Sequence, residues 1–358
     1  MTATKPILIP PTRHRMAELI AVLLAGIGLG VGIAALVIGQ GATPPHVAAS
    51  AHTQSARTPA GALPPATAGV QPGREEPKIS GGSAGQVEAE VAASRYASPV
   101  LAPDAGASFA TLSAELPGRV ELAVAPLGAG RREVLGADEA AHGWSTTKVP
   151  VLVALLRARG SEGLTAQEQA WAQTAITESN NESVLALFGD LERLKGGLVG
   201  ASRSMESLLR ASGDDETVVA TAPPPAGAVT TFGQTEWSPG EAVKFFRALA
   251  LGCLLSPGET SYVLGLMENI EPAESWGLGS AGFGSVAFKG GWGPESGGGY
   301  LVRQSGIVDP RSSKGAAVAI VAFAPSFASG TEMLTRMASW LRHHLRLASR
   351  PGSGCARE

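Results

Sequence analysis

The order of strand-like and helix-like segments is the feature that most constrains the fold of this chain. Apolar, strand-like stretches occur near both ends of the region 93–347, at residues 120–136 and at residues 285–323. The part between them, from about Thr147 to Leu266, has mostly helical patterns. Strands from both ends of one domain are expected to meet in an antiparallel sheet, with the helical middle inserted as a second lobe. Ligands commonly bind in a cleft between two such lobes.

The first of three short motifs lies at the start of the helical region and reads Ser145-Thr146-Thr147-Lys148. The apolar segment that follows, residues 149–159, ends in arginines and precedes Gly160, as expected for a helix. Residues three apart on a helix share a face, so the hydroxyl of Ser145 is expected next to the amine of Lys148. A serine hydroxyl needs a nearby base to act as a nucleophile. A serine that merely caps an amphipathic helix is the alternative interpretation.

The second motif, Ser179-Asn180-Asn181, stands in a polar segment just before another helix-like stretch. In this position Ser179 could carry a proton between Lys148 and a leaving nitrogen. Asn181 could hold Lys148 and donate a hydrogen bond to a substrate amide. An ordinary helix N-cap, for which Ser and Asn are common, is the alternative.

The third motif, Lys289-Gly290-Gly291, follows a strand-like segment at residues 285–288. A glycine such as Gly291 within a strand allows a substrate to approach the backbone closely. Lys289 would place a positive charge beside a substrate carboxylate, and the backbone N–H groups of Ser145 and Trp292 would form an oxyanion hole. Lys195-Gly196-Gly197 has the same letters, but it follows a helix-like segment and we interpret it as a helix C-cap.

The ordered set S-x-x-K, S-x-N and K-x-G resembles the catalytic motifs of the penicillin-recognising serine hydrolases. Residues from about 93 to 344 are similar to class A β-lactamases or to close relatives among the penicillin-binding proteins. The resemblance implies an α+β fold, with a five-stranded antiparallel sheet flanked by terminal helices and an inserted all-helical lobe. It also implies an acyl-enzyme at Ser145 and a β-lactam or peptidoglycan-peptide-like substrate. Arg303 would then help Lys289 to bind a carboxylate, and a solvated strand charge is the alternative for Arg303.

The loop that follows the S-x-N helix departs from the class A pattern. That family carries a glutamate within E-x-x-L-N, and the glutamate activates the water that clears the acyl-enzyme. Here Glu216 is close in spacing, but Val219-Ala220 replaces Leu-Asn, and Glu236 is a second candidate. A surface carboxylate is the alternative for both glutamates. We therefore expect acylation to be retained, and hydrolysis to be slow or to use different groups.

The N-terminal region indicates where the domain resides. Residues 19–39 are strongly apolar, and about 20 residues at ~1.5 Å per residue span the ~30 Å bilayer core. Basic residues precede this segment, so residues 1–18 are expected to form a cytoplasmic tail and the catalytic domain to lie outside the cytoplasm. A cleaved signal peptide, and hence secretion, is the alternative. Residues 40–92 are rich in Ala, Pro, Gly and Ser and predict a disordered linker, and residues 348–358 predict a disordered tail.

Charge and cysteine content exclude several classes of function. The 28 basic and 31 acidic side chains give a net charge of -3, which provides no basic stripe for nucleic acid. Cys253 and Cys355 are the two cysteines, and an exported chain permits a disulfide between them. A buried free Cys253 with a loose Cys355 is an equal alternative. The spacing of cysteine and histidine does not suggest zinc, so we expect no metal and no cofactor.

Three functions remain open from the sequence. The first is a β-lactam-hydrolysing enzyme. The second is a cell-wall D-alanyl-D-alanine peptidase or penicillin-binding protein, and the third is a non-catalytic, membrane-tethered binding domain. We expect a monomer that acts on a small acyl substrate.

Overall fold

The computed structural model describes residues 100–295, 298–348 and 354–355. The predicted cytoplasmic tail, apolar segment and linker, residues 1–92, therefore lie outside the described residues, as does most of the C-terminal tail. Among the helices in the described ranges, none has the length and apolar character needed to cross a membrane.

The described residues contain seven strands, and five of them form the predicted antiparallel sheet. The strands are β1 (Arg119–Pro126), β2 (Glu133–Leu135), β3 (Ala141–His142), β4 (Glu236–Trp237), β5 (Val286–Pro294), β6 (Tyr300–Val308) and β7 (Ala316–Ala324). The main sheet has the order β2-β1-β7-β6-β5, and each neighbouring pair is antiparallel. β3 and β4 pair separately as a short two-stranded sheet. The expected α+β fold is therefore confirmed, with β5 at one edge of the main sheet.

The helices fall into two groups on the two faces of the sheet. They are α1 (Ala105–Glu115), α2 (Lys148–Arg159), α3 (Ala166–Thr177), α4 (Asn181–Lys195), α5 (Leu198–Ala211), α6 (Pro239–Ala250), α7 (Pro257–Glu268) and α8 (Phe327–His344). The terminal helices α1 and α8 cover one face, and the six helices between them form the inserted lobe on the other side.

Alternation of side chains along the strands divides the buried residues into two cores. In β1, Val120 and Leu122 belong to the core under the terminal helices, whereas Ala123 and Ala125 belong to the core shared with the helical lobe. Successive strand residues point to opposite faces, so one apolar strand supplies both cores. The same alternation in β5 places Lys289 and Gly291 on the face of the helical lobe.

The conformation and surroundings of their glycines distinguish the two K-G-G sequences. Gly196 ends α4 with a φ of 79°, a left-handed conformation that makes it the helix C-cap predicted for that position. Gly291 lies instead within edge strand β5, where a Cβ atom would stand 2.8 Å from the backbone nitrogen of Ser145. Only a glycine allows the strand to approach the Ser145 segment this closely.

The two cysteines form a disulfide between the turn after α6 and the C-terminal tail. Cys253 and Cys355 have Cα atoms 5.3 Å apart and are separated by 102 residues. The alternative of a free Cys253 and a loose Cys355 is therefore wrong. The sequence left this pairing open because it does not give the distance between the two Cα atoms.

Candidate active site

Ser145 lies in a 3₁₀ turn, Trp144–Thr147, directly before α2. Trp144 has a φ of 46°, which is an unfavourable conformation for a residue with a bulky side chain. The turn is held by a hydrogen bond of 3.1 Å from Thr146 N–H to the Gly143 carbonyl, and by one of 2.6 Å from the Thr147 hydroxyl to the Trp144 carbonyl. Such strain persists only where the surroundings fix the backbone, and it often occurs at functional sites.

Lys148 is the first residue of α2 and is almost completely buried, with 1% of its surface exposed. Its ammonium group donates to the carbonyl oxygen of Ser179, to Asn181 Oδ1 at 2.9 Å and to Ser179 Oγ at 3.3 Å. The structure therefore brings Lys148 of the first motif together with Ser179 and Asn181 of the second.

The environment of Lys148 favours its neutral form. Burial, together with the positive charge of Lys289, lowers the pKa of Lys148 to about 7, while the carboxylate of Glu274 acts in the opposite direction. A lysine amine with a pKa near neutrality is a competent general base, because a large fraction of it is unprotonated at physiological pH.

The start of α4 explains how the second motif faces Lys148. The N-cap of this helix is Asn180, whose side chain accepts a hydrogen bond of 2.8 Å from Ser183 N–H. Ser179 precedes it with a φ of 56°, in the left-handed region. The N-cap interpretation is thus correct for Asn180 alone, and the side chains of Ser179 and Asn181 remain available to Lys148.

Lys289 is also buried, but its partner is a carboxylate. Its ammonium group lies 3.1 Å from Glu274 Oε2 and donates to the Gly290 carbonyl at 3.2 Å. Burial lowers the pKa of Lys289, and the charge and hydrogen bond of Glu274 raise it. Glu274 ends a short 3₁₀ turn, Pro272–Glu274. Nothing in the sequence motifs pointed to Glu274.

The two residues after Lys289 are glycines, so no side chain separates the backbone of β5 from the backbone of Ser145. A Cβ atom at Gly291 would also lie 2.9 Å from the Thr146 backbone nitrogen, so the glycine keeps this space free. The indole of Trp292 packs against Trp276 and Phe327, with ring centroids 6.0 and 5.1 Å away. The Trp292 side chain therefore packs against the core under the terminal helices, and the role of its backbone N–H in an oxyanion hole stays a prediction.

Arg303 occupies the position opposite Gly291 in β6 and is fully buried, with 0% exposure. Its Nη1 donates to the carbonyls of Trp237, Ala141 and His142 at 2.9, 3.1 and 3.2 Å. Burial lowers the pKa of Arg303 to about 10. The expectation of a solvated strand charge is therefore wrong, because the guanidinium fastens β3 and β4 to the main sheet. These bonds give Nη1 a structural role, whereas the Nε and Nη2 atoms are buried without a hydrogen-bond partner among the described residues, so the contact of Arg303 with a substrate carboxylate stays a prediction.

Glu216 and Glu236 are both exposed and lie beside each other, lining one depression together with Thr217. Neither carboxylate is among the hydrogen-bond partners of Lys148. The loop is held by the buried carboxylate of Asp214, which accepts hydrogen bonds from Trp237 Nε1 at 3.0 Å and from Thr217 N–H at 2.9 Å. Both glutamates are therefore surface carboxylates, which was the alternative interpretation of the sequence.

In the described part of the chain, His, Cys, Asp and Glu side chains form no group of three that could hold a metal ion. The histidine nearest to Ser145 in the sequence, His142, lies 3.5 Å from Glu295 through its Nδ1 atom. That pair links β3 to the residue that follows β5.

Comparisons with known proteins identify the fold. No protein-family model matches the sequence, and the curated proteins give no match either. A class A β-lactamase from Mycobacterium abscessus is 18% identical, with a TM-score of 0.54, over 67% of this chain and 98% of that one. An ancestral class A β-lactamase, GNCA, is 19% identical with a TM-score of 0.53, over 67% of this chain and 99% of that one.

A third solved structure, that of PBP-A, is 20% identical with a TM-score of 0.53, over 69% of this chain and 97% of that one. Each of these structures is matched over nearly its whole length. The described domain therefore has the fold that class A β-lactamases share with PBP-A.

Proposed function

We propose that this protein is a serine hydrolase that forms an acyl-enzyme at Ser145. The observation that carries the proposal is Lys148, a buried amine with a pKa near neutrality that lies one turn from Ser145 and contacts Ser179 and Asn181. A scaffold without catalysis has no need for a buried lysine in this state, because burial of an amine opposes folding. The class A fold is a second line of support.

In the proposed acylation, the Ser145 hydroxyl loses a proton to Lys148 and the leaving nitrogen then gains one through Ser179. The neutral amine of Lys148 accepts the proton of the Ser145 hydroxyl while the serine oxygen forms a bond to the substrate carbonyl carbon. The backbone N–H groups of Ser145 and Trp292 stabilise the resulting oxyanion. When the bond from carbon to the leaving nitrogen breaks, Ser179 gives its proton to that nitrogen and receives one from the Lys148 ammonium. Water then completes hydrolysis of the ester.

We further propose that this last step is slow. In class A enzymes a loop glutamate activates the water, but Glu216 and Glu236 are exposed here and neither is bonded to Lys148. This observation favours the second candidate function, a penicillin-binding protein that acylates and releases slowly, over an efficient β-lactamase.

The location of the domain is a proposal too. A membrane anchor at residues 19–39, or a signal peptide at the same place, would export the domain. The disulfide between Cys253 and Cys355 supports export, since such bonds persist in oxidising compartments. Protease accessibility of the domain in intact cells tests this, and protection from protease until lysis would refute it.

The experiment that tests the hydrolase proposal is a time course of intact mass. The full chain is mixed with a penicillin and, separately, with the methyl ester of that penicillin. We expect a covalent adduct that is lost in Ser145→Ala and kept in Ser161→Ala, an exposed serine outside the site. A lasting adduct would support slow deacylation, and rapid consumption of drug with a transient adduct would identify a β-lactamase. Absence of an adduct with both probes would refute the acyl-enzyme.

A further inference from the structure

The positive charge of Lys289 is already neutralised within the protein. The ammonium group is fully buried, and the carboxylate that contacts it at 3.1 Å is the member of the pair that reaches the surface, with 15% of the Glu274 side chain exposed against 0% for Lys289. A ligand that approaches this end of β5 therefore meets the carboxylate of Glu274 first.

The other buried cations of the site are directed into the protein. Lys148 is bonded to Ser179 and Asn181, and Arg303 Nη1 is bonded to three backbone carbonyls. The Nε and Nη2 atoms of Arg303 have no hydrogen-bond partner among the described residues, but Arg303 and Lys148 are both buried, so neither offers an exposed cation in place of Lys289.

An exposed acidic side chain adds to the negative charge near the second motif, since Glu178 directly precedes Ser179 and is exposed. Glu271 contributes through its backbone, whose N–H donates to the Thr177 carbonyl at 3.0 Å and holds the turn that carries Glu274 beside the Ser179 segment. Like charges within a few ångströms repel each other most strongly where water is scarce.

We propose that Glu274 determines specificity by occupying Lys289, so that the site selects acyl substrates without a carboxylate beside the scissile bond. The inference rests on the acyl-enzyme function proposed above. An incoming carboxylate has to displace Glu274 from Lys289 and remain next to it. An uncharged ester or amide, or a group that carries an amine, needs no such displacement. Glu274 is then a specificity residue that acts through Lys289.

The test compares two probes with the same reactive β-lactam, a penicillin that has a free carboxylate and its uncharged methyl ester. The rate of Ser145 acylation by a penicillin and by its methyl ester is measured by intact mass on the full chain, in the wild type and in Glu274→Gln. The matched control is Glu271→Gln, which makes the same change of charge in the same turn at an exposed side chain. Thermal unfolding of each variant verifies that the protein remains folded, and Glu274→Asp tests whether a shorter carboxylate restores the wild-type preference.

We expect the wild type to react at least tenfold faster with the methyl ester than with the free acid. In Glu274→Gln the rate with the free acid should rise at least tenfold, while the rate with the ester stays within about twofold. Glu271→Gln should behave as the wild type. A wild-type preference for the free acid, or an equal change of both rates in Glu274→Gln, would overturn the specificity role and leave the acyl-enzyme intact. No adduct with either probe in any folded variant would instead overturn the acyl-enzyme and this inference with it.

Discussion

The helical lobe and the main sheet each contribute a buried lysine to the candidate site, and the partners of these lysines differ. On the helical side Lys148 contacts a hydroxyl, a backbone carbonyl and an amide oxygen, all of them uncharged. On the sheet side Lys289 contacts the carboxylate of Glu274. Burial lowers the pKa of both amines, but only Lys289 has a directly bonded negative charge that favours its protonated form. Similar burial is thus opposed at Lys289 by a carboxylate that favours its charged form, whereas at Lys148 the bonded partners are uncharged.

The strongest test of this difference removes the proposed base. Lys148→Met replaces the amine by an uncharged chain of similar length, and general-base catalysis contributes about 10²–10⁴ in rate. We expect the rate of Ser145 acylation, measured by intact mass with the penicillin methyl ester, to fall by about that factor. Lys195→Met, which changes the exposed lysine of the other K-G-G sequence, is the control and should leave the rate unchanged. A loss smaller than about fivefold in a folded variant would contradict a base role for Lys148.

A second test concerns the support of the Ser145 segment from the sheet side. Arg303→Met deprives the carbonyls of Ala141, His142 and Trp237 of a shared charged donor. Hydrogen bonds to charged groups contribute about 1.5–3 kcal/mol, and we expect the free energy of unfolding to fall by about that amount.

Denaturant titration followed by circular dichroism measures the change in Arg303→Met. Arg193→Met is the control, because Arg193 is 63% exposed and its ion pair with Asp190 lies at the surface. Surface pairs of this kind contribute roughly 0–1 kcal/mol. Equal losses in the two variants would indicate that Arg303 does not hold β3 and β4 in place.

The sheet and the two lysine motifs were predictable because they depend on local patterns. Alternation and apolar runs define β1, β6 and β7, and helix context distinguishes Lys195-Gly196-Gly197 from the motif at Lys289. The structure brings together side chains that the motif spacing had already selected.

Other parts of the site depend on contacts that no local pattern encodes. Glu274 reaches Lys289 only because the turn after α7 lies beside β5, 15 residues away along the chain. Arg303 is buried by β3 and β4, which have two residues each and therefore no measurable periodicity. Long-range placement, rather than residue type, decides the partners of both charges.

The pH dependence of acylation tests the coupling between the two lysines. Because the base must be neutral, the acylation rate should rise with pH and reach half of its limit near the Lys148 pKa of about 7. Lys289→Met removes a positive charge that lowers this pKa and leaves Glu274, which raises it. We therefore expect the midpoint to move to higher pH in Lys289→Met, as measured with the uncharged methyl ester. A midpoint that is unchanged, or that moves to lower pH, would show that Lys148 and Lys289 are not electrostatically coupled.

The smallest expected effect concerns the loop that lies apart from both lysines. Glu216 and Glu236 are exposed, and the hydrogen bonds of Lys148 reach neither of them. A general base must come within hydrogen-bond reach of the water it activates, directly or through one further water, and we therefore expect neither exposed carboxylate to clear an ester at Ser145. The double variant Glu216→Gln/Glu236→Gln should lose its adduct at a rate within about twofold of the wild type, in the range of an ordinary surface change. If one of the two single variants slows deacylation about tenfold or more, that glutamate would be identified as the base that activates water. The catalytic groups would then extend beyond the two buried lysines to the segments that carry Glu216 and Glu236.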